Sequence, residues 1–191
     1  MLVAGIDEVG RGCIAGPVVA ACVWIDEEKC RELGVGDSKK ISKAKRFRLC
    51  QAICQHARSW GIGVASVEEV DSINILQATL RAMQRAYTSC WFKPDELWVD
   101  GRDNPFKEIK VHTVIGGDGS VPAIGAASIV AKVYRDTLME VFDRQYPGYG
   151  FAGHKGYGTK AHIQSISTQG VCCIHRKSFE PIRTMVQGVE A

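Results

Sequence analysis

The chain has eight cysteines but no CxxC pair; they stand at 13, 22, 30, 50, 54, 90, 172 and 173. That spacing argues against a zinc ribbon and against a thioredoxin-type redox site. No apolar run approaches the ~18–20 residues of a membrane-spanning helix. The longest, Val18 to Ile25, has the length of one strand. Met1 to Val9 has no basic segment and holds two acids, so no secretory leader is expected. Internal repeats, low-complexity tracts and long linkers are missing as well, which argues against a solenoid or a tethered array. An excess of one charge is also lacking. The 24 Lys and Arg residues against 21 Asp and Glu leave a net charge of +3, so any polyanion site must rest on locally gathered cations.

What remains is an ordinary globular composition, 46% hydrophobic and 24% charged over 191 residues. A chain of this length buries roughly 70% of its unfolded surface and needs no covalent staples. The eight thiols are therefore expected to be reduced, in the cytoplasm. Residues 1–191 are expected to form a single domain, with the C-terminal ~20 residues as a short helical tail.

Leu2 to Ile6 reads as a strand ending in Asp7-Glu8, and Pro17 to Ile25 as a buried second strand. The tight turn at Gly10 to Gly12 predicts that they pair antiparallel. Asp37-Ser38-Lys39-Lys40 reads as a loop. Ser42 reads as the N-cap of a helix over Lys43 to Arg58, with Phe47, Cys50, Ile53 and Cys54 inward. Ile62 to Ala65 predicts a third strand. Ser66 and Glu69 match a capping box that opens a short helix, and Ile75 to Tyr87 predicts a longer one. Glu96 to Val99, ending at Asp100, and Ile109 to Val114 predict the fourth and fifth strands. Ala123 to Tyr146 is helical in pattern, and Gly148 to Gly158 reads as a loop. Thr159 to Thr168 reads as a helix capped by Gly170. A short helix started by Pro181 follows. This order predicts an α/β fold, a five-stranded mixed sheet flanked by helices.

Two adjacent acids on a buried strand are unusual. Consecutive strand residues face opposite sides, so one carboxylate is expected to share a face with Asp100 and the other to reach that site only from the turn. Asp118 follows two glycines just before the long helix. Carboxylates gathered in a low-dielectric site repel one another unless a cation lies between them. Such an oxygen-rich set suits Mg2+ or Mn2+, and a pair of these ions can drive phosphodiester hydrolysis. Taken singly, the same acids are also what turns and caps use, and the residues alone leave both readings open.

Six of the ten positions from Lys39 to Arg48 are Lys or Arg, and Arg176, Lys177 and Arg183 make a second basic group. They are either solvated faces or phosphate contacts beside the acids. Gly10-Arg11-Gly12 permits close backbone approach to a ligand, although most such pairs are simply turns. Tyr157 lies in a Gly-rich loop, where its ring can pack internally or stack on a sugar or base.

In this order the segments resemble the bacterial ribonuclease HII family over nearly the whole chain. The resemblance is carried by Gly5-Ile-Asp-Glu-Val-Gly-Arg-Gly12, Gly16-Pro-Val-Val19, Asp37-Ser-Lys-Lys40, Trp98-Val-Asp-Gly101 and Gly117-Asp118. It continues in Ala126-Ala-Ser-Ile-Val-Ala-Lys-Val133, Arg135-Asp136, His154-Lys-Gly-Tyr157 and His175-Arg-Lys-Ser-Phe179. It implies an RNase H-like fold and an endonuclease that hydrolyses the RNA strand of RNA–DNA hybrids. The same activity is implied 5′ to ribonucleotides embedded in duplex DNA, through water activated by Mn2+ or Mg2+, leaving a 3′-OH and a 5′-phosphate. It assigns catalytic and metal-binding roles to Asp7, Glu8, Asp100 and Asp118. It assigns sensing of the ribose 2′-OH to Gly10, Arg11 and Gly12, reading of the junction to Tyr157, and backbone contacts to Ser38 and Lys39. Ser128 and Lys132 face either the site or the packing. The implied partner is the hybrid or ribonucleotide-containing duplex; the chain is expected to be a monomer and to engage no membrane. Gly117 departs from the family pattern, where many members place Lys. The alternatives are a hybrid-binding protein without catalysis and a DNA junction nuclease of the same fold.

Overall fold

The computed structural model describes residues 2–35 and 41–188. Ser38 and Lys39 lie outside the described residues. In chain order the elements begin with β1 (Leu2–Val9), β2 (Val18–Asp26), α1 (Glu27–Leu33), α2 (Lys43–His56), β3 (Ser59–Ala65) and α3 (Val67–Ser89). They continue with β4 (Glu96–Asp100), β5 (Lys110–Val114), a 3-10 turn (Gly117–Gly119), α4 (Pro122–Gln145), α5 (Phe151–His154), α6 (Lys160–Gln169) and α7 (Ile182–Gln187).

The sheet has the order β3-β2-β1-β4-β5. β1–β2 and β2–β3 are antiparallel, whereas β1–β4 and β4–β5 are parallel. The mixed five-stranded sheet expected from the sequence is therefore present, with β1 at its centre.

Alternation along the central strands sends side chains into two cores. One face carries Val3, Val19, Ala21 and Val23 against α4, α2 and α1. The other carries Ala4, Ile6, Val18, Ala20, Leu97 and Val99 against α3. A third cluster, with Ile14, Met139, Tyr149, Phe151, Ile166 and Ile182, joins the later helices. Among the described residues, no helix is long and apolar enough to cross a membrane.

Small residues let α4 sit close to the sheet. Ala123, Ala126, Ala127 and Ala131 are fully buried, and Gly5 lies directly beneath the helix start. A Cβ on Gly5 would stand 2.2 Å from the Ala123 carbonyl carbon, so any side chain there must push α4 off β1. Gly5→Ala is therefore expected to cost roughly 1–3 kcal/mol by overpacking. Thermal unfolding would show it, and an unchanged midpoint would contradict this account of the α4 seat.

Local sequence reading and tertiary structure part at several places. β1 does not stop before its acids. It pairs with β2 as far as Val9↔Val19, so Asp7 and Glu8 are strand residues. Helix α1 carried no expectation, yet its signals are present. Asp26 accepts from the Glu28 and Lys29 N–H groups, and Gly34 closes the helix at φ 74°. On α2, Leu49 and Ile53 are buried while Phe47 is 51% exposed. The expected inward position of Phe47 is wrong because α2 meets the body along one narrow edge, against α4 and α1. The capping box of Ser66 and Glu69 is formed. The two helices expected after it run as one element broken at Asn74, which has φ 68° and whose side chain caps the Gln77 N–H at 3.1 Å. The expected loop over 148–158 contains the single turn α5.

Candidate active site

Parallel pairing of β1 with β4 matches Gly5 to Trp98 and Ile6 to Val99. One step further along, the same register sets Asp7 beside Asp100. Both project to the α4 face, since their strand neighbours two residues back, Gly5 and Trp98, do so. Glu8 starts on the opposite face, but its longer side chain reaches round the strand end. One carboxylate oxygen from each of Asp7, Glu8 and Asp100 lies within 4.8 Å of the other two. Glu8 thus joins the group from within the strand, not from the turn as expected.

The environment is dry. Asp7 is 5% exposed. Burial pushes its carboxyl up to about 8, a hydrogen bond with Ser128 pulls it back, and the charges of Glu8 and Asp100 push it further up. Ser128 on α4 therefore faces the site, whereas Lys132 pairs with Asp136 at 2.7 Å. Burial also raises the Glu8 carboxyl, while the Arg11 guanidinium 3.3 Å away opposes that shift. Asp100 Oδ1 accepts the Gly117 N–H at 2.7 Å. Gly117 thus presents a backbone donor to the cluster.

The donor set fits a divalent cation. It consists of three hard oxygens, and Glu8 Oε2 is buried without a hydrogen-bond partner. An unsatisfied buried carboxylate oxygen is costly in the protein alone, and coordination to a hard cation removes that cost. Asp118 does not belong to the convergent group. It sits partly buried in the 3-10 turn, one residue beyond the Gly117 N–H that holds Asp100.

Two buried arginines, Arg135 and Arg176, shape the loop after β1 and are fully enclosed. Arg176 donates to the carbonyls of Gly10 at 2.7 Å, Arg11 at 2.9 Å and Gly16 at 2.8 Å. Arg135 donates to Pro17 at 3.0 Å, Ala15 at 3.1 Å and Lys155 at 2.8 Å. Gly10 has φ 94°, and a Cβ there would lie 2.2 Å from Arg135 Nε. Only glycine fits between this turn and that guanidinium. Arg176 was expected among the surface cations, and it is instead an internal clamp. The one local hint was a Gly- and Pro-rich segment whose carbonyls have no ladder to join.

The loop carrying Tyr157 docks on the same segment. Ile14 and Ala15 N–H groups donate to the Gly156 carbonyl at 2.9 and 3.3 Å. Tyr157 is 44% exposed, so its ring borders solvent beside the Gly10–Gly12 turn. The other expected basic group, on α2, is partly engaged, with Lys43 paired to Glu140.

Comparison with known proteins agrees with this geometry. Residues 4–182 match the family described as Ribonuclease HII. A protein named Ribonuclease HII from Coxiella burnetii is 49% identical over 185 residues, covering 97% of this chain and 91% of that one. Its namesake from Vibrio parahaemolyticus is 50% identical over 182 residues, covering 95% and 86%. The crystal structure of the ribonuclease H2 from Pyrococcus horikoshii superposes with a TM-score of 0.84 at 27% identity, covering 100% and 99%. With the profile spanning the sheet, the acids and both glycine-rich loops, this chain belongs to the ribonuclease HII family, endonucleases of the RNase H-like fold.

Proposed function

We propose that the chain hydrolyses the RNA strand of RNA–DNA hybrids and incises 5′ to single ribonucleotides in duplex DNA. The observation that carries this reading is the convergence of Asp7, Glu8 and Asp100 with one buried oxygen left unpartnered. These three would hold Mn2+ or Mg2+, with Asp118 as a further ligand from the turn tied to Asp100. When bound, such a cation supplies acidified water and charge stabilisation at the phosphodiester.

The other roles fall to the chain's own groups. Backbone atoms of Gly10, Arg11 and Gly12, held by Arg176, would bond to the ribose 2′-OH, the group that separates RNA from DNA. A site fitted to that hydroxyl rejects a substrate lacking it, because its own polar groups are then left unpaired. The Tyr157 ring would pack on the sugar beyond the scissile phosphate, and Ser38 and Lys39 would contact the nucleic-acid backbone. Water adds to phosphorus, the 3′ oxygen departs with a proton, and the ends are a 3′-OH and a 5′-phosphate. A single catalytic domain acting as a monomer in the cytoplasm suits this chemistry, where its eight thiols stay reduced.

The test is a DNA duplex holding one ribonucleotide, incubated with Mn2+, with Mg2+ and with chelator, and the cut mapped. One incision 5′ to the ribonucleotide, lost on chelation, is expected. Binding without cleavage in either metal would favour a non-catalytic hybrid binder. Equal cutting of an all-DNA duplex would favour a junction nuclease.

A further inference from the structure

Behind Tyr157 three histidines lie in contact beside the third core cluster, and nothing in the proposed chemistry uses them. His162 and His175 are fully buried. The His154 and His162 rings lie 4.0 Å apart and nearly parallel. Their hydrogen bonds determine where every imidazole proton lies. His162 Nδ1 is 2.9 Å from the Tyr157 carbonyl oxygen. A carbonyl only accepts, so this nitrogen carries the proton. His162 Nε2 is therefore the bare nitrogen, and it lies 3.1 Å from His175 Nε2, which must donate. His175 Nδ1 is then bare and accepts the Cys172 N–H at 2.9 Å, with Cys172 Sγ at 3.1 Å. The Cys172 carbonyl is farther, at 3.3 Å, and already accepts the His175 N–H. Using it instead would force a second proton onto His162. His154 obeys the same logic, accepting the Gly156 N–H at Nδ1 and donating from Nε2 to the Tyr149 carbonyl. Burial lowers the pKa of His162 to about 4 and lowers that of His175 as well, consistent with neutral rings.

We propose that His162 and His175 are positioning residues: a one-way hydrogen-bond chain from Cys172 through both rings to the Tyr157 carbonyl, which sets the backbone that aims the Tyr157 ring at the ribonucleotide junction. This rests on the reading of Tyr157 given above. The chain ends on Tyr157 itself, whose N–H is in turn held by the His154 carbonyl at 3.0 Å. The peptide groups before and after Tyr157 are thus both held from the histidine side, and the Tyr157 carbonyl also accepts the Thr159 N–H at 2.8 Å. The opposite side of the loop is fixed by the Gly156 bonds to Ile14 and Ala15. The histidines therefore share with Thr159 and Gly156 in placing the junction reader, without touching substrate.

The experiment exploits amide isosterism. The amide nitrogen of Asn takes the place of Nδ1 and that of Gln the place of Nε2. His162→Asn keeps the donor to Tyr157, and His162→Gln removes it. Both lose core packing, so both melt lower, and a merely structural role would affect them alike. Cleavage of a single embedded ribonucleotide and of a long hybrid is measured for wild type, both variants and Tyr157→Ala. His162→Gln is expected to shift the ratio of the two kcat/KM values against the single ribonucleotide by about threefold to tenfold, the worth of one hydrogen bond. His162→Asn is expected to restore most of that ratio. Equal ratios in the two variants overturn the proposal. If Tyr157→Ala leaves the ratio at its wild-type value, the reading of Tyr157 itself fails. If Tyr157→Ala shifts it and His162→Gln does not, the histidine chain alone fails. Imidazole 15N chemical shifts give a readout independent of activity. They are expected to show His162 protonated at Nδ1 and His154 and His175 at Nε2, and the reverse tautomer at His162 also overturns the proposal.

Discussion

Asp7→Asn is expected to abolish cleavage and, at the same time, to raise the melting temperature of the metal-free protein. The two effects have one cause. Burial first, then the neighbouring charges of Glu8 and Asp100, lift the Asp7 carboxyl from 3.8 to about 8. Between these values the unfolded chain has released a proton that the folded chain retains. Metal-free stability therefore falls as pH rises through that window and is least above about 8. Asn has the same shape and no charge. It keeps an oxygen for the Glu8 N–H, which the carboxylate accepts at 2.7 Å, and removes the Asp7 share of the pH dependence, leaving that of Glu8. Activity falls because a neutral amide oxygen is a poor ligand for a hard cation; at least about a hundredfold is expected, as for loss of other preorganised electrostatic groups. Mn2+ or Mg2+ should raise the melting temperature of wild type at pH 8 and raise that of the variant much less. Melting curves across pH, with and without cation, check the stability half, and a cleavage assay checks the other. An active variant, or one that melts lower than wild type at pH 8 without metal, would refute the assignment.

Arg176→Met carries the largest expected stability loss. The guanidinium is fully enclosed and joins three carbonyls that have few other donors. Burial lowers its pKa to about 10, so it remains charged at neutral pH. Removing one side of a buried charged network costs about 3–5 kcal/mol, or roughly 10 °C in a chain of this length. Arg176→Lys keeps the charge but not the planar fork that reaches Gly10, Arg11 and Gly16 together. It is expected to melt between Met and wild type. In both variants the Gly10–Arg11 carbonyls lose their anchor, so discrimination between ribonucleotide and all-DNA duplex should fall further than cleavage of a long hybrid. Thermal denaturation and paired cleavage assays decide it. A Met variant that melts like wild type and keeps its discrimination would remove Arg176 from the site.

Much of the fold is written locally. Period-2 burial along β3 and the capping box at Ser66 are short-range signals, and so are the small apolar face of α4 and Gly170 after α6. They depend on residues a few positions apart, so they survive without knowledge of the whole. The acids were legible for a related reason. Carboxylates are rare in buried strands, so Asp7-Glu8 and Asp100 stand out against their apolar flanks.

The sequence by itself determined the five strands, the longer helices and which oxygen donors are available, because those follow from side-chain identity and near-neighbour spacing. Tertiary structure alone decided that Glu8 reaches the same point as Asp7 and Asp100, since that depends on the β1–β4 register. It alone turned Arg176 inward onto a carbonyl 166 positions away and closed the His162–His175 contact. A guanidinium or imidazole has the same local pattern whether it faces water or a distant backbone turn. Its partner is chosen only when the sheet and α4 bring the two glycine-rich loops together.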